Sequence, residues 1–287
     1  MTLPNFLIIG AQKSGTSWLA DMLSQHPDVF VARGEIHYFD KVQNFARPLD
    51  WYASHFEGVR GERAVGEKSP DYLWANGRGE EGHDPDVHRN LHGVLPGAKL
   101  VVSLRNPVDR AISAANHIVR SGRVSPRHEL DELLVGDKRH LLARRGVIDY
   151  GYYRRQLDAY QELFDPAQML VLVYEEDIVD DPADGLRRTC EFLEVDPDFE
   201  FVTERRVNEM RSSLLSLYAR YYLPPARGLA RRLDRRLPPA RPRRPSPETV
   251  RRLEELFAEE NERLFEIIGR RVGAWEPTRE PERSSGP

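Results

Sequence analysis

The sequence predicts an α/β fold in which a mainly parallel sheet is covered by helices on both faces. Three short apolar runs, Phe6–Ile9, Leu100–Leu104 and Met169–Val173, have the length and Val, Ile and Leu content of strands buried on both sides. Helical patterns separate them, and strand alternating with helix is the sequence form of a parallel sheet. At 287 residues and 40% hydrophobic content the chain is long enough for one large core, which excludes a disordered protein.

Each element has its own local signal. The first run ends in a glycine-containing turn, and Trp18–Leu23 continues as a helix. After the second run Asn106 is placed to cap a helix, with Pro107 at its first position and Asp109 near enough to complement the dipole. Tyr150, Tyr153, Leu157, Tyr160 and Phe164 recur at helical spacing and predict one long helix before the third run. Leu186–Leu193 reads as an amphipathic helix, which makes Cys190 a buried structural thiol; a lone cysteine leaves no intramolecular disulfide and no Cys-rich zinc site. Between Pro224 and Pro247 the composition turns to arginine and proline, either a solvated connector or a basic flap over a substrate. Ser246-Pro247-Glu248 then opens a helix running through Leu253, Phe257, Leu264 and Ile267. Residues 276–287 are polar and Pro-rich and are expected to be disordered, leaving a single domain over 1–275.

Lys and Arg number 42 against 46 Asp and Glu, and a net charge of −4 gives no bulk attraction to nucleic acid or anionic lipid. Any anion site must therefore be local. The N-terminus has neither a basic n-region nor a long apolar h-region, and no stretch approaches the ~20 apolar residues of a membrane span. A cytoplasmic protein with no nucleic-acid partner and no membrane span is expected.

The most informative stretch is Phe6 to Leu19, a strand that runs through Gly10-Ala11-Gln12-Lys13-Ser14-Gly15-Thr16-Ser17 into a helix. Exposed amides at a helix N-terminus favour a bound anion, glycine permits close approach, Lys13 adds a full charge, and Thr16 and Ser17 add hydroxyls. Gly10 and Gly15 have the glycine spacing of the nucleotide P-loop, but Thr16 stands where that motif has lysine. The displaced lysine weakens an ATP or GTP reading.

Lys13-Ser14-Gly15-Thr16-Ser17 resembles the 5′-phosphosulfate loop of sulfotransferases that use 3′-phosphoadenosine 5′-phosphosulfate (PAPS), especially the branch related to heparan sulfate sulfotransferases. The resemblance implies a P-loop-like three-layer α/β sandwich, a PAPS donor, and donor-binding roles for Lys13, Ser14, Gly15, Thr16, Ser17 and Trp18. A second stretch, Arg105-Asn106-Pro107 through Arg110 to Ser113, is similar to the 3′-phosphate motif of the family and assigns that phosphate to Arg105 and Ser113. A guanidinium suits phosphate because it donates as a bidentate fork.

Sulfuryl transfer needs in-line positioning, stabilisation of departing oxygens, and removal of the acceptor proton. By setting alone Glu35 is either a solvated carboxylate or a base, and His37 either a packed or a supporting histidine; an extended segment would place Glu35, His37 and Phe39 on one side. Gly34-Glu35-Ile36-His37-Tyr38-Phe39-Asp40 resembles the substrate segment of the family, which makes Glu35 the implied general base with His37 in support. Gly66-Glu67-Lys68-Ser69-Pro70-Asp71-Tyr72 is close to another family signature and adds Lys68 to the catalytic set; Glu67, a site group or equally a structural partner of Lys68, stays out of that set. The late glycine loop of the family is missing, and Arg211 with Ser212 is the substitute. The implied reaction moves a sulfuryl group from PAPS to a hydroxyl or amine of a carbohydrate, lipid or small metabolite, without a metal. The competing readings are an ATP-dependent small-molecule kinase with a variant P-loop, whose nearest metal carboxylates are Glu175-Glu176-Asp177, and a non-catalytic nucleotide-binding module.

Overall fold

The computed structural model describes residues 1–77, 79, 82–203, 212–223, 225, 228, 229, 232, 234 and 236–276. Its centre is a five-stranded sheet of β1 (Phe6–Gly10), β2 (Val29–Val31), β3 (Ala64–Lys68), β4 (Lys99–Leu104) and β5 (Met169–Val173), in the order β2-β3-β1-β4-β5. Every pairing is parallel. The three expected strands are β1, β4 and β5. The two unexpected ones are β2, only three residues long, and β3, whose Ala-Val-Gly-Glu-Lys sequence hides a fully buried strand behind a glycine and two charges.

Side chains alternate through β1 as a pleated strand requires. Leu7 and Ile9 enter a cluster with Leu100, Val102, Tyr160 and Phe164, whereas Phe6 and Ile8 face Leu19, Leu23, Leu186 and Cys190. The second face is covered by α1 (Thr16–Leu23) and a later helix, Pro182–Leu193, so Cys190 is the buried thiol its pattern implied. Helix α2 (Val87–Val94) precedes β4, and α3 (Pro107–Arg120) follows it. The Asn106 side chain accepts from the amides of Val108 and Asp109 at 3.0 and 3.3 Å, the expected cap. The expected long helix is shorter: α4 spans Tyr153–Gln161, Tyr150 lies in a preceding 3-10 turn, and Phe164 packs after the helix has ended. Helices α5 (Pro182–Leu193), α6 (Leu214–Tyr222) and α7 (Pro247–Ile268) complete the chain, and α7 starts at the predicted Ser246 cap. Arg211 and the tail from 277 lie outside the described residues.

Gly66 faces Phe6 across the β1/β3 pairing, and a Cβ there would lie 2.5 Å from the Phe6 ring. Gly93, near the end of α2, has open space around it. Gly66→Ala is therefore expected to cost about 1–3 kcal/mol through overpacking, and Gly93→Ala to be neutral or stabilising by about 0.4–1 kcal/mol. Urea unfolding of the two variants checks this; equal midpoints would contradict the packing at the centre of the sheet.

Candidate active site

Strands β1, β3 and β4 are neighbours and parallel, so their carboxyl ends open on one edge, where the connection after β1 runs toward β2 and that after β3 runs the other way, past β1 to β4. Lys13, Lys68 and Arg105 lie at or just beyond those three ends. The loop after β1 is held by Ala11 N donating to the Ser103 carbonyl at 2.7 Å and by Ser103 Oγ donating to the Ser14 carbonyl at 2.6 Å. Gly15 then caps α1 at φ 78°, and no side chain caps that helix, so its first-turn amides face the loop without a side-chain acceptor. A Cβ on Gly15 would lie 2.8 Å from the Tyr174 ring, a second reason for glycine there.

Lys13 itself has φ 72°. Among the described residues four non-glycines adopt the left-handed region, and two of them, Lys13 and His37 (φ 54°), were expected catalytic groups. Such conformations cost on the order of 1–3 kcal/mol and persist where the surroundings over-determine them. Arg105 Nη1 donates to the Lys13 carbonyl at 3.3 Å, its guanidinium lies 4.9 Å from the centre of the Tyr174 ring, and its Nε is buried without a partner. Ser113 is half-buried on the second turn of α3. Further along the same helix, at the i+4 and i+7 positions from Ser113, stand His117 and Arg120. Burial, then repulsion from Arg120 and Arg105, lowers the Lys13 pKa, with Glu35 acting the other way. Burial and the positive charges of Lys13 and Arg123 bring His117 down to about 4, so it is neutral at pH 7. This is a seat of mutually repelling cations that a bound anion relieves.

On the β3 side the polar groups form a chain. Lys68 Nζ lies 3.2 Å from Ser17 Oγ and 2.6 Å from Glu35 Oε1. The other Glu35 oxygen lies 3.3 Å from His37 Nε2, and His37 Nδ1 lies 3.1 Å from Asp40, which is fully buried and 3.1 Å from Lys41 Nζ. Burial opposes ionisation of Glu35, but hydrogen bonds and charge from His37 and Lys68 outweigh it and bring its pKa to about 2. Burial likewise opposes the His37 cation, and bonds to Asp40 and Glu35 outweigh it, raising the imidazole to about 10. Phe39 does not share this side. The backbone turns at His37 and sends Phe39 inward against Tyr52 and Tyr72.

Beneath the chain Glu67 is fully buried and accepts from Tyr52 (2.7 Å), Tyr72 (2.9 Å) and Ser69 (2.8 Å). Its partners are hydroxyls, so of the two readings the pairing with Lys68 is not the one found. Burial raises its pKa and the three hydroxyls oppose that shift. Gln12 Nε2 donates to Asp71 at 3.3 Å, tying the loop after β1 to the turn after β3. His37, Asp40 and Asp71 offer ligand atoms within 4.8 Å of one another, but Lys41 already supplies a cation to Asp40.

The structure thus brings Lys13, Ser14, Gly15, Thr16, Ser17, Glu35, His37 and Lys68 onto one edge, with Arg105 beside them and Trp18 packed against the second core cluster. Asp40, His117 and Arg120 were missed. Asp40 was legible only as the end of the Glu35 segment, whereas the spacing 113, 117, 120 on one helix would have pointed to the other two. The carboxylates weighed for a kinase metal are otherwise engaged. Glu175 accepts from the Asn106 amide at 3.0 Å and from Trp275 Nε1 at 2.9 Å, Glu176 pairs with Arg270, and Asp177 binds the Val173 amide and Arg188, each at 2.6 Å. A cavity of about 900 Å³ bounded by Trp74, Leu133, Tyr152 and Leu256 takes none of its walls from this edge.

Because the folded-state pKa of His37 is raised from 6.5 to about 10, its ionic contribution to stability is fully present below pH 6.5 and lost as pH rises through about 10. The stability difference between the wild type and His37→Gln is expected to be largest at acid to neutral pH and to shrink toward pH 10. Denaturation across that range checks the sign; a difference that grows with pH would contradict the Glu35–His37–Asp40 arrangement.

A family profile described as a sulfotransferase domain matches residues 3–221. Over 280 residues the chain is 28% identical to human heparan sulfate glucosamine 3-O-sulfotransferase 6, covering 94% of this chain and 73% of that protein. A 117-residue stretch is 35% identical to the membrane-associated sulfotransferase kil1 of Dictyostelium discoideum, covering 39% of this chain and 22% of the other. The chain spans only about half the length of other curated relatives, 52% for mouse heparan sulfate glucosamine 3-O-sulfotransferase 6. Among solved structures it is similar to a sulfotransferase from Alicyclobacillus acidocaldarius, with a TM-score of 0.70, 29% identity, and 96% and 99% of the two chains covered. The likeness is to sulfotransferases in sequence and in three dimensions alike, and the chain belongs to the sulfotransferase family, on the branch related to the heparan sulfate enzymes.

Proposed function

We propose that this chain, through one domain over residues 1–275, transfers a sulfuryl group from PAPS to a hydroxyl or amine of a carbohydrate acceptor in the cytoplasm. The observation that carries the reading is the meeting, on one edge of the sheet, of a cationic anion seat with the Lys68–Glu35–His37–Asp40 chain. The carbohydrate acceptor is supported by the extended similarity to the human heparan sulfate enzyme.

The residues fit the donor by their chemistry. The uncapped start of α1, the repelling cations Lys13, Arg105 and Arg120, and the unpartnered buried Nε of Arg105 all call for a multiply charged anion. When bound, PAPS supplies the sulfuryl group and an adenosine bisphosphate leaving group. Lys13 and the residues from Ser14 to Trp18 would hold its 5′ end, and Arg105 and Ser113 its 3′-phosphate; Arg211 remains a sequence-based assignment. Lys68 contributes a cation shared between Ser17 and Glu35. Glu35 accepts the acceptor's proton at its carboxylate, while Asp40 holds His37, and His37 orients Glu35. A pKa near 2 makes Glu35 a weak base at rest. Negative charge brought to Lys68 and Lys13 shifts Glu35 upward, so basicity rises when the donor seat is filled. Positive charge from Lys13 and Lys68 serves the departing oxygens, and no metal is invoked.

Adenosine 3′,5′-bisphosphate is expected to bind without metal and more tightly than ATP with Mg²⁺; calorimetry giving the reverse order contradicts the donor assignment. Glu35→Gln should retain bisphosphate affinity and lose about 10²- to 10⁴-fold in saturated rate, the range of a general base. Arg105→Ala should instead weaken bisphosphate binding roughly ten- to hundredfold, the size of a charge-assisted hydrogen bond. A Glu35→Gln enzyme that is folded, binds bisphosphate and turns over normally would remove Glu35 as the base.

A further inference from the structure

The cavity of about 900 Å³ has no part in the chemistry above and has a construction of its own. It lies where the short helices Leu130–Leu134 and His140–Ala143 meet the start of α4, the first half of α7 and the stretch carrying Trp74 after β3. Leu133, Leu134, Leu142 and Ile148 give it apolar walls, and Leu256 borders it while 45% exposed. Trp74 is fixed there by stacking on Tyr150, with ring centres 4.6 Å apart, and by donating from Nε1 to the Asp149 carboxylate at 2.5 Å. Pockets for small organic ligands span a few hundred to about 1,000 Å³, and walls held in place before binding lower its cost.

Two polar features interrupt the apolar lining. Gln156 lines the cavity at 1% exposure, and its Oε1 has no hydrogen-bond partner among the described residues. Its Nε2 donates to the Asp149 carbonyl at 3.4 Å, so turning the amide over would set oxygen against oxygen, and the open position stays an acceptor. A buried acceptor of this kind is destabilising until a donor reaches it. The second feature is charge. Arg139, Arg155 and Arg252 line the cavity, all three exposed, against one acid, Asp149. Arg155 pairs with Asp149 and lies over the Tyr152 ring, and Arg252 pairs with Glu248 at 2.7 Å. The Arg139 guanidinium has no ion-pair partner among the described residues.

We propose that this cavity binds an amphipathic organic anion, with an apolar body against the leucine and tryptophan walls, an O–H or N–H donor for Gln156, and an acidic group for Arg139. Each component excludes a simpler occupant. A hydrocarbon would leave Gln156 unmatched and Arg139 without a counter-charge, whereas inorganic phosphate would leave the apolar walls wet. The terminal torsion of glutamine is broad, so a small rotation turns Oε1 to the ligand. The lining residues lie apart from the catalytic edge, and the proposal does not depend on the donor or acceptor assignment.

The test uses the full chain and 8-anilinonaphthalene-1-sulfonate, whose aromatic rings, anilino N–H and sulfonate supply the three components. Its fluorescence is expected to rise with saturable one-to-one binding. N-phenyl-1-naphthylamine, the same body and donor without the sulfonate, serves as the neutral probe. Arg139→Glu should weaken the sulfonate probe about fivefold, the scale of one exposed charge interaction, and leave the neutral probe unchanged. Gln156→Leu should weaken both probes about fivefold, the scale of one hydrogen bond, while its urea midpoint stays at or above that of the wild type because an unmatched acceptor is gone. Ala143→Trp, at an exposed position on the lining, fills space in the cavity and should remove most of the binding of both probes. Circular dichroism identifies the folded variants, and if one is unfolded the other two decide. The proposal is overturned if the wild type does not bind the sulfonate probe, if Arg139→Glu affects both probes alike, or if any folded variant binds the sulfonate probe as the wild type does. It is equally overturned if adenosine 3′,5′-bisphosphate displaces the probe, which would put it at the catalytic edge, or if light scattering shows a dimer that Ala143→Trp separates, which would put a second copy in the cavity.

Discussion

Everything at the site depends on β1 lying between β3 and β4 with all three strands pointing the same way. Parallel strands deliver their carboxyl ends to one edge, and loops leaving that edge can share a ligand without any long excursion of the chain. Lys13 arrives from β1, Lys68 from β3 and Arg105 from β4. The hydrogen bonds that join these ends, Ala11 to Ser103, Ser103 to Ser14 and Arg105 to Lys13, come from neighbouring strand ends rather than from one motif. Strand pairing therefore sets the geometry of the charges.

The two halves of the edge are electrostatically unlike. On the α3 side cations are gathered with little to balance them, and burial first, then their mutual repulsion, keeps His117 neutral and lowers Lys13. On the β3 side positive and negative groups alternate from Lys68 through Glu35 and His37 to Asp40 and Lys41. The first half suits a ligand that brings negative charge. The second holds a carboxylate in a fixed orientation through neighbours on both of its oxygens. Glu67 beneath them is bound by three hydroxyls, which anchors the last residues of β3 in the core.

The parts legible in the sequence were those whose signal is local. The three apolar strands, the Asn106 cap, the Ser246 cap and the turns into helices after β1 and β4 could be read from a dozen residues each. β3 could not, because a glycine followed by two charged residues makes no apolar run, and the partners that bury Glu67 and Lys68, namely Tyr52, Tyr72, Glu35 and Ser17, come from other parts of the chain. Asp40 needed the left-handed turn at His37, which carries a non-glycine residue and so left no mark in the sequence. The predicted helix from Tyr150 to Phe164 was too long because Tyr150 and Phe164 are buried by packing outside the helix, and a burial pattern cannot tell the two cases apart.

The Glu175 carboxylate joins the Asn106 amide, next to Arg105, to the indole of Trp275. The Asn106 amide is thus braced by a residue 169 positions later, through a carboxylate lying between them in sequence. During synthesis the sheet can form while the C-terminal segment is still inside the ribosome, but this brace closes only after Trp275 has emerged. The turn after β4 is consequently among the last parts of the molecule to acquire its final support, and the order of translation separates the making of the scaffold from the completion of its cationic edge.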